Sequence, residues 1–326
     1  MFAPTDRWVW DFWLAHHEGV HHMFYLQAPK SLGDPELRHP NATIGHATST
    51  DLVSWEEHGT VLAPGGPGTI DATATWTGSV VRGDDGLWRM FYTGSVWDES
   101  GNTQTIALAT STDLFTWHKR EGFALSADAR WYERRGTSSW PEEAWRDPWV
   151  YYGPDNRWHM LITARSHTGP VEERGVIGHA VSDDLDTWEV LPPMTDPGHG
   201  FGHLEVPQLV TVDGRSALLF STARETITDA RAEQGGSTGV WWAPVTDGLI
   251  DLPHAAPVTS EELYSGRMAH DEHGRAVLLA FATGRGAGRF AGKIVDPLRV
   301  SWHADRLHVA APAASQADST SRADYS

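Results

Sequence analysis

The sequence predicts an all-β protein, a five-bladed β-propeller with four-stranded antiparallel blades around a central funnel. Three observations carry this. A turn of the form Ser-x-Asp-Leu-x-x-Trp recurs at Ser49–Trp55, Ser111–Trp117 and Ser182–Trp188. A turn followed by an apolar strand occurs five times, starting at Gly19, Gly86, Asn156, Gly214 and Gly274. No long stretch shows the 3.6-residue period of a helix. Repeats of roughly 60–70 residues, each holding several short strands, are the spacing of propeller blades. Two β-sandwiches in tandem would need a linker near the middle, and none is visible.

Taken in order, the first unit opens with Trp8-Val9-Trp10-Asp11-Phe12-Trp13-Leu14, an apolar strand with one acid inside it. Glu18-Gly19 turns it into the strand Val20–Tyr25. The next strand ends at Ser49, where Asp51 closes the turn with its side chain and Leu52 and Trp55 fold back. The second unit repeats this with Ala74–Val80, Gly86–Tyr92 and Ile106–Trp117. The third has Ala144–Val150, Asn156–Ile162 and Ile177–Trp188. The fourth has Gly202–Val210 and Gly214–Phe220, with a weaker echo of the turn at Ala243–Leu249. The fifth has Gly274–Ala280 and an echo at Lys293–Leu298, with Trp302 following. Two segments depart from the repeat, 126–143 and 225–238, and both read as loops able to wall a pocket. The propeller is expected to fill residues 1–310 as a single domain. Residues 311–326 are Ala-, Ser- and Asp-rich without apolar pattern and read as a disordered tail.

Composition narrows the function. The 326 residues contain 17 Trp and no Cys, are 40% hydrophobic, and carry a formal charge of −18. The acidity, with no basic stripe, argues against nucleic acid and anionic membranes as partners. The lack of cysteine excludes disulfides, zinc–thiolate sites and thiol nucleophiles. No run approaches the ~20 apolar residues of a membrane span, and no leader pattern is visible. The chain reads as cytoplasmic, with secretion left open if a leader was removed. Oligomeric state is not legible.

Three acids stand inside apolar, strand-like runs: Asp11, Asp147 within Trp145-Arg146-Asp147-Pro148-Trp149, and Glu205 within Leu204-Glu205-Val206-Pro207. A charge in such a place is costly unless paired or used. Counted back from the following turn they lie eight or nine residues before Gly19, Asn156 and Gly214, the same place in units one, three and four. Unit two has Thr77 there, and unit five Ser265 or Gly266. First strands of blades line the propeller axis, so the three acids are expected to face one another across one funnel. Any one buried acid is as well explained by anchoring a blade. Three at one place in the repeat are better explained by a shared site, where crowding splits pKa values into a proton donor and a nucleophile or base.

Trp10-Asp11-Phe12-Trp13, Trp76-Thr77-Gly78-Ser79, Arg146-Asp147-Pro148 and Glu205-Val206-Pro207-Gln208 together resemble the fructan-active propellers of glycoside hydrolase families 32 and 68, over residues 6 to 305. The Trp-Asp-Phe-Trp form looks more like family 68. The resemblance implies cleavage of terminal β-fructofuranosyl linkages in sucrose, fructo-oligosaccharides or fructans, with retention, and with fructosyl transfer as an open variant. It implies Asp11 as nucleophile, Glu205 as general acid and then base, and Asp147 as holder of sugar hydroxyls and stabiliser of the transition state. Arg146 would pair with that region, while Trp10, Trp76 and Thr77 would shape the pocket for the fructosyl ring. No cofactor or metal is called for, and the partner is a small fructoside.

The remaining candidates are weaker. His203, two residues before Glu205, is expected on the same strand face, tuning that acid or touching the leaving sugar. His16-His17-Glu18-Gly19-Val20-His21-His22 invites a metal, but a hairpin turn splits it and neighbouring strand residues face opposite ways. His46 and His179 share one repeat position and read as packing. Trp131, Trp140, Trp145 and Trp149 are each as consistent with packing as with stacking on a second sugar. Competing readings are an inverting arabinofuranosidase or xylosidase of the family 43 kind and a non-catalytic sugar-binding propeller. A protein-interaction propeller has no reason to place three acids in its funnel.

Overall fold

The computed structural model describes residues 1–236, 238–284 and 290–310. The expected tail at 311–326 lies outside them, as does Ser237 of the 225–238 loop. The strands form five antiparallel sheets in chain order. Blade one holds β1 (Arg7–His17), β2 (Val20–Pro29), β3 (Thr43–Ser49) and β4 (Glu56–Leu62). Blade two holds β5 (Ala74–Arg82), β6 (Trp88–Asp98), β7 (Gly101–Ser111) and β8 (His118–Lys119). Blade three holds β9 (Trp145–Tyr152), β10 (Trp158–Arg165), β11 (Gly175–Ser182) and β12 (Glu189–Leu191). Blade four holds β13 (Glu205–Val212), β14 (Arg215–Thr222), β15 (Gly239–Thr246) and β16 (Leu249–Ile250), with β17 (Ala256–Pro257) added on β15. Blade five holds β18 (Leu263–His270), β19 (Ala276–Ala282), β21 (Leu298–His303) and β22 (Arg306–Val309), with β20 (Lys293–Ile294) on β19. The last two blades thus exceed the expected four strands by one short strand each. Helix is scarce: the structure is only 8% helical.

The first strands make a closed ring, β1 against β5, β5 against β9, β9 against β13, β13 against β18, and β18 back against β1. Closure is reinforced where Phe2 exchanges backbone hydrogen bonds of 2.9 Å with Ile294 of blade five. Apolar side chains between blades form the core. The largest cluster runs from Leu279 and Phe281 of blade five through Phe12, Trp13 and Phe24 to Trp88 and Met90 of blade two.

The repeated turn folds as its sequence demands. Asp51 Oδ1 accepts the backbone N–H groups of Val53 and Ser54 at 2.8 and 2.7 Å, and Asp113 and Asp184 do the same in blades two and three. Leu52, Leu114 and Leu185 sit at φ of 62°, 68° and 67°. That conformation costs a branched residue energy, and burial of each leucine against the blade offsets it. Each tryptophan then donates its indole N–H to that leucine's carbonyl, at 3.0–3.2 Å. His46 and His179 are packing groups, their Nε2 atoms 3.0 Å from Nδ1 of His22 and His159 on the adjacent strand.

Candidate active site

Every first strand carries a β-bulge near the axis. Two residues oppose one at Trp10-Asp11, Asp147-Pro148, Val206-Pro207 and Ser265-Gly266, and Thr77 is the extra residue in blade two. Bulges break the ladder and re-aim side chains. In blades three, four and five the first bulge residue is left-handed, with φ of 57° at Asp147, 53° at Val206 and 52° at Ser265. Non-glycine residues hold that conformation only where the surroundings enforce it. Here the backbone N–H of Val206 is bound by Asp147 Oδ2 at 3.1 Å, and that of Asp147 by Thr93 Oγ1 at 3.0 Å.

The acids gather at this bulge, but the expectation of one register position is corrected. Glu205 is the last paired residue before the bulge, Asp147 the first residue within it and Asp11 the second. The count from the turns misleads because the bulge lies at a different distance from each turn, with six strand residues after it in blade one (Phe12–His17), five in blade four (Gln208–Val212) and four in blade three (Trp149–Tyr152), and because the turn of blade three is longer. Glu18-Gly19 and Asp213-Gly214 are two-residue turns, whereas five residues, 153–157, separate β9 from β10.

Asp11, Asp147 and Glu205 line a single cavity of about 680 Å³, together with Trp10, Trp76, Thr77 and Arg146. Thr77 Oγ1 donates to Asp11 Oδ2 at 2.7 Å. Thr163 Oγ1 donates to Asp147 Oδ2 at 2.9 Å. Arg146 Nη2 donates to Glu205 Oε1 at 2.6 Å, while Nη1 reaches Gln104 Oε1 at 3.2 Å and Glu142 Oε1 at 3.4 Å. Both aberrant segments reach the cavity, the first through Glu142 and the second through Glu225 and Thr238.

Direct sugar contact by His203 is corrected. Its side chain is buried behind Arg146, at 2% exposure, and is absent from the cavity wall. Arg146 Nη2 lies 2.9 Å from His203 Nδ1. A guanidinium only donates, so Nδ1 accepts and the imidazole is neutral with its hydrogen on Nε2. Burial favours the same neutral form. Of the two readings open for Trp131, Trp140, Trp145 and Trp149, stacking on a second sugar is not the one that the cavity wall supports. Trp145 is fully buried with its indole N–H on the Leu125 carbonyl, and Trp140 stacks on the Arg165 guanidinium at 3.8 Å. Trp131 and Trp149 likewise do not line the cavity, whose indoles are Trp10, Trp76 and Trp97.

Several wall residues escaped the sequence reading. Blade five supplies Tyr264, whose hydroxyl donates to Glu205 Oε2. Deeper in the same strand lies Arg267. The usable signal was there: Leu263-Tyr264-Ser265-Gly266-Arg267-Met268 buries a cation in a strand-like run, the same anomaly that marked the acids. Trp97, 44% exposed at the rim, and Arg38 and His39 from the 3-10 segment Pro35–Asn41 carried no such mark.

The carboxyls titrate apart. Burial raises Asp11 to about 7, helped by the charge of Asp147 and opposed by the Thr77 hydroxyl. Burial also raises Asp147. For Glu205 burial acts the same way but is outweighed by the Arg146 guanidinium and the Tyr264 hydroxyl that donate to it, which hold it well below the usual carboxylate range. Near neutral pH Asp11 is therefore poised between its two forms while Glu205 is ionised, so the pair holds at most one proton, the number that a carboxyl pair needs to work as nucleophile and acid.

A five-bladed ring with oppositely shifted carboxyls at the floor of a polar and indole-lined funnel is the architecture of a sugar-active propeller. Comparison with known proteins gives the family. The chain belongs to the glycosyl hydrolases of family 32, whose N-terminal domain matches residues 2–284. That sets aside the family 43 reading and places the chain with the first of the two families it resembles. It is 26% identical over 279 residues to the sucrose-6-phosphate hydrolase of Bacillus subtilis, covering 81% of this chain and 52% of that protein. It is 25% identical over 292 residues to the extracellular sucrase of Zymomonas mobilis, covering 75% of this chain and 68% of that protein. The chain therefore spans about half the length of the Bacillus relative. The fold matches the inulosucrase of Halalkalicoccus jeotgali bound to kestose with a TM-score of 0.72 and 23% identity, covering 95% of this chain and 90% of that one.

Proposed function

We propose that the protein is a retaining β-fructofuranosidase that removes the terminal fructosyl group of sucrose and short fructo-oligosaccharides. The observation that carries this is the convergence of Asp11, Asp147 and Glu205 in one cavity of a family 32 propeller. Asp11 attacks the anomeric carbon. Its carboxyl is oriented by Thr77, which leaves Oδ1 to the cavity. Glu205 protonates the departing oxygen and then activates the incoming water. Asp147, anchored through one oxygen by Thr163 and Val206, holds ring hydroxyls. A sugar alcohol displacing water as acceptor gives fructosyl transfer at the same site.

The wall charge favours an uncharged sugar. Among the described residues six acids (Asp11, Glu36, Glu142, Asp147, Glu205 and Glu225) and two arginines (Arg38 and Arg146) line the cavity. Both arginines are already bonded to acids, Arg38 to Glu36 at 2.9 Å and Arg146 to Glu205. A phosphate dianion entering such a field is repelled. Measured kcat/KM on sucrose is expected to exceed that on sucrose 6-phosphate by at least about tenfold, roughly 1.4 kcal/mol. A preference for the phosphorylated sugar would reject this part of the reading. Glucose release from sucrose that is abolished in Glu205→Gln tests the activity itself. Unchanged turnover in that variant would favour a sugar-binding propeller.

A further inference from the structure

Among the described residues of blade five, Arg267 is the one whose hydrogen bonds reach the main chain beside both carboxyls of the proposed pair. It is 1% exposed and is the first paired residue after the Ser265-Gly266 bulge. Its Nε donates to the carbonyl of Phe12 at 3.1 Å, and Phe12 directly follows Asp11. Its Nη1 donates to the carbonyls of Val206 and Pro207 at 3.3 and 3.0 Å, and Val206 directly follows Glu205. One planar group thus grips blades one and four at the bulges that carry the two acids. A guanidinium has a fixed fork, so the carbonyls it joins are held at a set separation.

Its charge also has a direction. Arg267 makes no ion pair within 4.0 Å among the described residues, and its Nη2 has no hydrogen-bond partner among them. The anions that act on it are Asp147 and Asp11. A buried cation left without a contact ion pair is expensive, and an apolar residue would crosslink nothing but cost less. What the cation supplies is a positive field under the cavity floor together with a main-chain brace.

We propose that Arg267 is a positioning residue, setting the separation of Asp11 and Glu205 through the adjacent main chain and favouring the ionised form of Asp11. The proposal rests on the reading of that pair as the reacting carboxyls. The groups facing Asp11 are Asp147 from β9, Glu205 from β13, the Thr77 hydroxyl from β5, and Tyr264 and Arg267 from β18. Of these Arg267 is the cation with no carboxylate bonded to it, since Arg146 is committed to Glu205.

The test uses Arg267→Met and Arg267→Lys in the full chain. Removing charge and brace together is expected to lower kcat on sucrose by about a hundredfold, the cost of roughly 1 Å of misplacement, with KM changed less than about threefold. The acidic limb of the pH–rate profile should move up by about one unit. Lysine should return that limb towards its original position without returning kcat, because charge is restored and the fork is not. An acidic limb that stays in place in both variants, with kcat falling only in proportion to protein unfolded, would overturn the proposal. Carboxyl NMR of Asp-labelled protein reads the Asp11 titration without turnover. If the wild type cleaves no fructoside, the functional reading fails. The Arg267 proposal then stands or falls on whether the Asp11 resonance titrates higher in Arg267→Met, or in Arg267→Lys relative to wild type if the methionine variant does not fold.

Discussion

Asp11 and Glu205 are the same functional group on two blades of one ring, and the protein treats them in opposite ways. Around Asp11 the one hydrogen-bond donor among the described residues is a neutral hydroxyl, Thr77, and burial beside a second acid raises the carboxyl to about 7. Around Glu205 stand a guanidinium and a phenol, and the carboxyl is held low. The lesson is that the funnel fixes how many protons the pair holds before it fixes where they sit. In the free site Asp11 takes up a proton before Glu205 does. The proposed chemistry needs it on Glu205, so seating a fructosyl ring has to reverse the polarity, drawing Arg146 or Tyr264 away from Glu205 towards sugar hydroxyls.

The sharpest way to break this comparison is Asp11→Asn. Loss of the nucleophile is expected to reduce kcat by about 10⁴-fold or more, as removal of a covalent catalyst does. Glu205→Gln comes next, with a loss of about 10²–10⁴-fold on sucrose. An aryl fructoside, whose leaving group needs no proton, should recover most of the rate of the first step. Equal losses on both substrates would remove Glu205 from the acid role. Arg146→Lys keeps a charge but loses the two-way grip on Glu205 and Glu142. A loss of about tenfold in kcat/KM is expected, with the apparent pKa of the pair moving upward; a profile that stays in place would show that Arg146 does not set the titration of Glu205.

The smallest effect is on stability, and its sign differs between the two acids. Asp11 has a folded pKa of about 7, above its ordinary value. The stability that its retained proton represents is present at low pH and is lost as pH rises towards and through 7. Asp11→Asn should therefore melt higher than the wild type at pH 8, by about 3 °C, with the gap closing at pH 4. Glu205 is depressed, so its contribution is present above the ordinary carboxylate range and is lost as pH falls below it. Glu205→Gln should melt lower than the wild type at pH 7. Melting curves for both variants that shift the same way at pH 7–8 would contradict the opposed environments.

The two acids also differ in how much of their surroundings could be read from the sequence. The fold was legible because its repeats are local: Asp51, Asp113 and Asp184 close their turns with residues two and three further along. The acids were legible because an ionisable group inside an apolar strand is anomalous by itself. Thr77 came through the repeat, and Arg146 by standing beside Asp147. Tyr264 and Arg267 meet the site across 59 or more residues of sequence, from a blade where the repeat is faint. His203 does stand beside Glu205, its Nδ1 3.5 Å from Oε1, but Arg146 lies against it and it is absent from the cavity wall, a relation between blades that spacing along one strand does not show. Trp97 and Arg38 belong to the rim, where an exposed indole or a half-buried guanidinium is ordinary.

The most direct test of the central claim is the anomeric form of the first fructose released from sucrose, followed by NMR in the opening minutes before mutarotation. Attack by Asp11 and return of water through Glu205 predict β-fructofuranose first, with its other forms growing in later. The α-anomer appearing first would show direct displacement by water and would contradict Asp11 as the nucleophile.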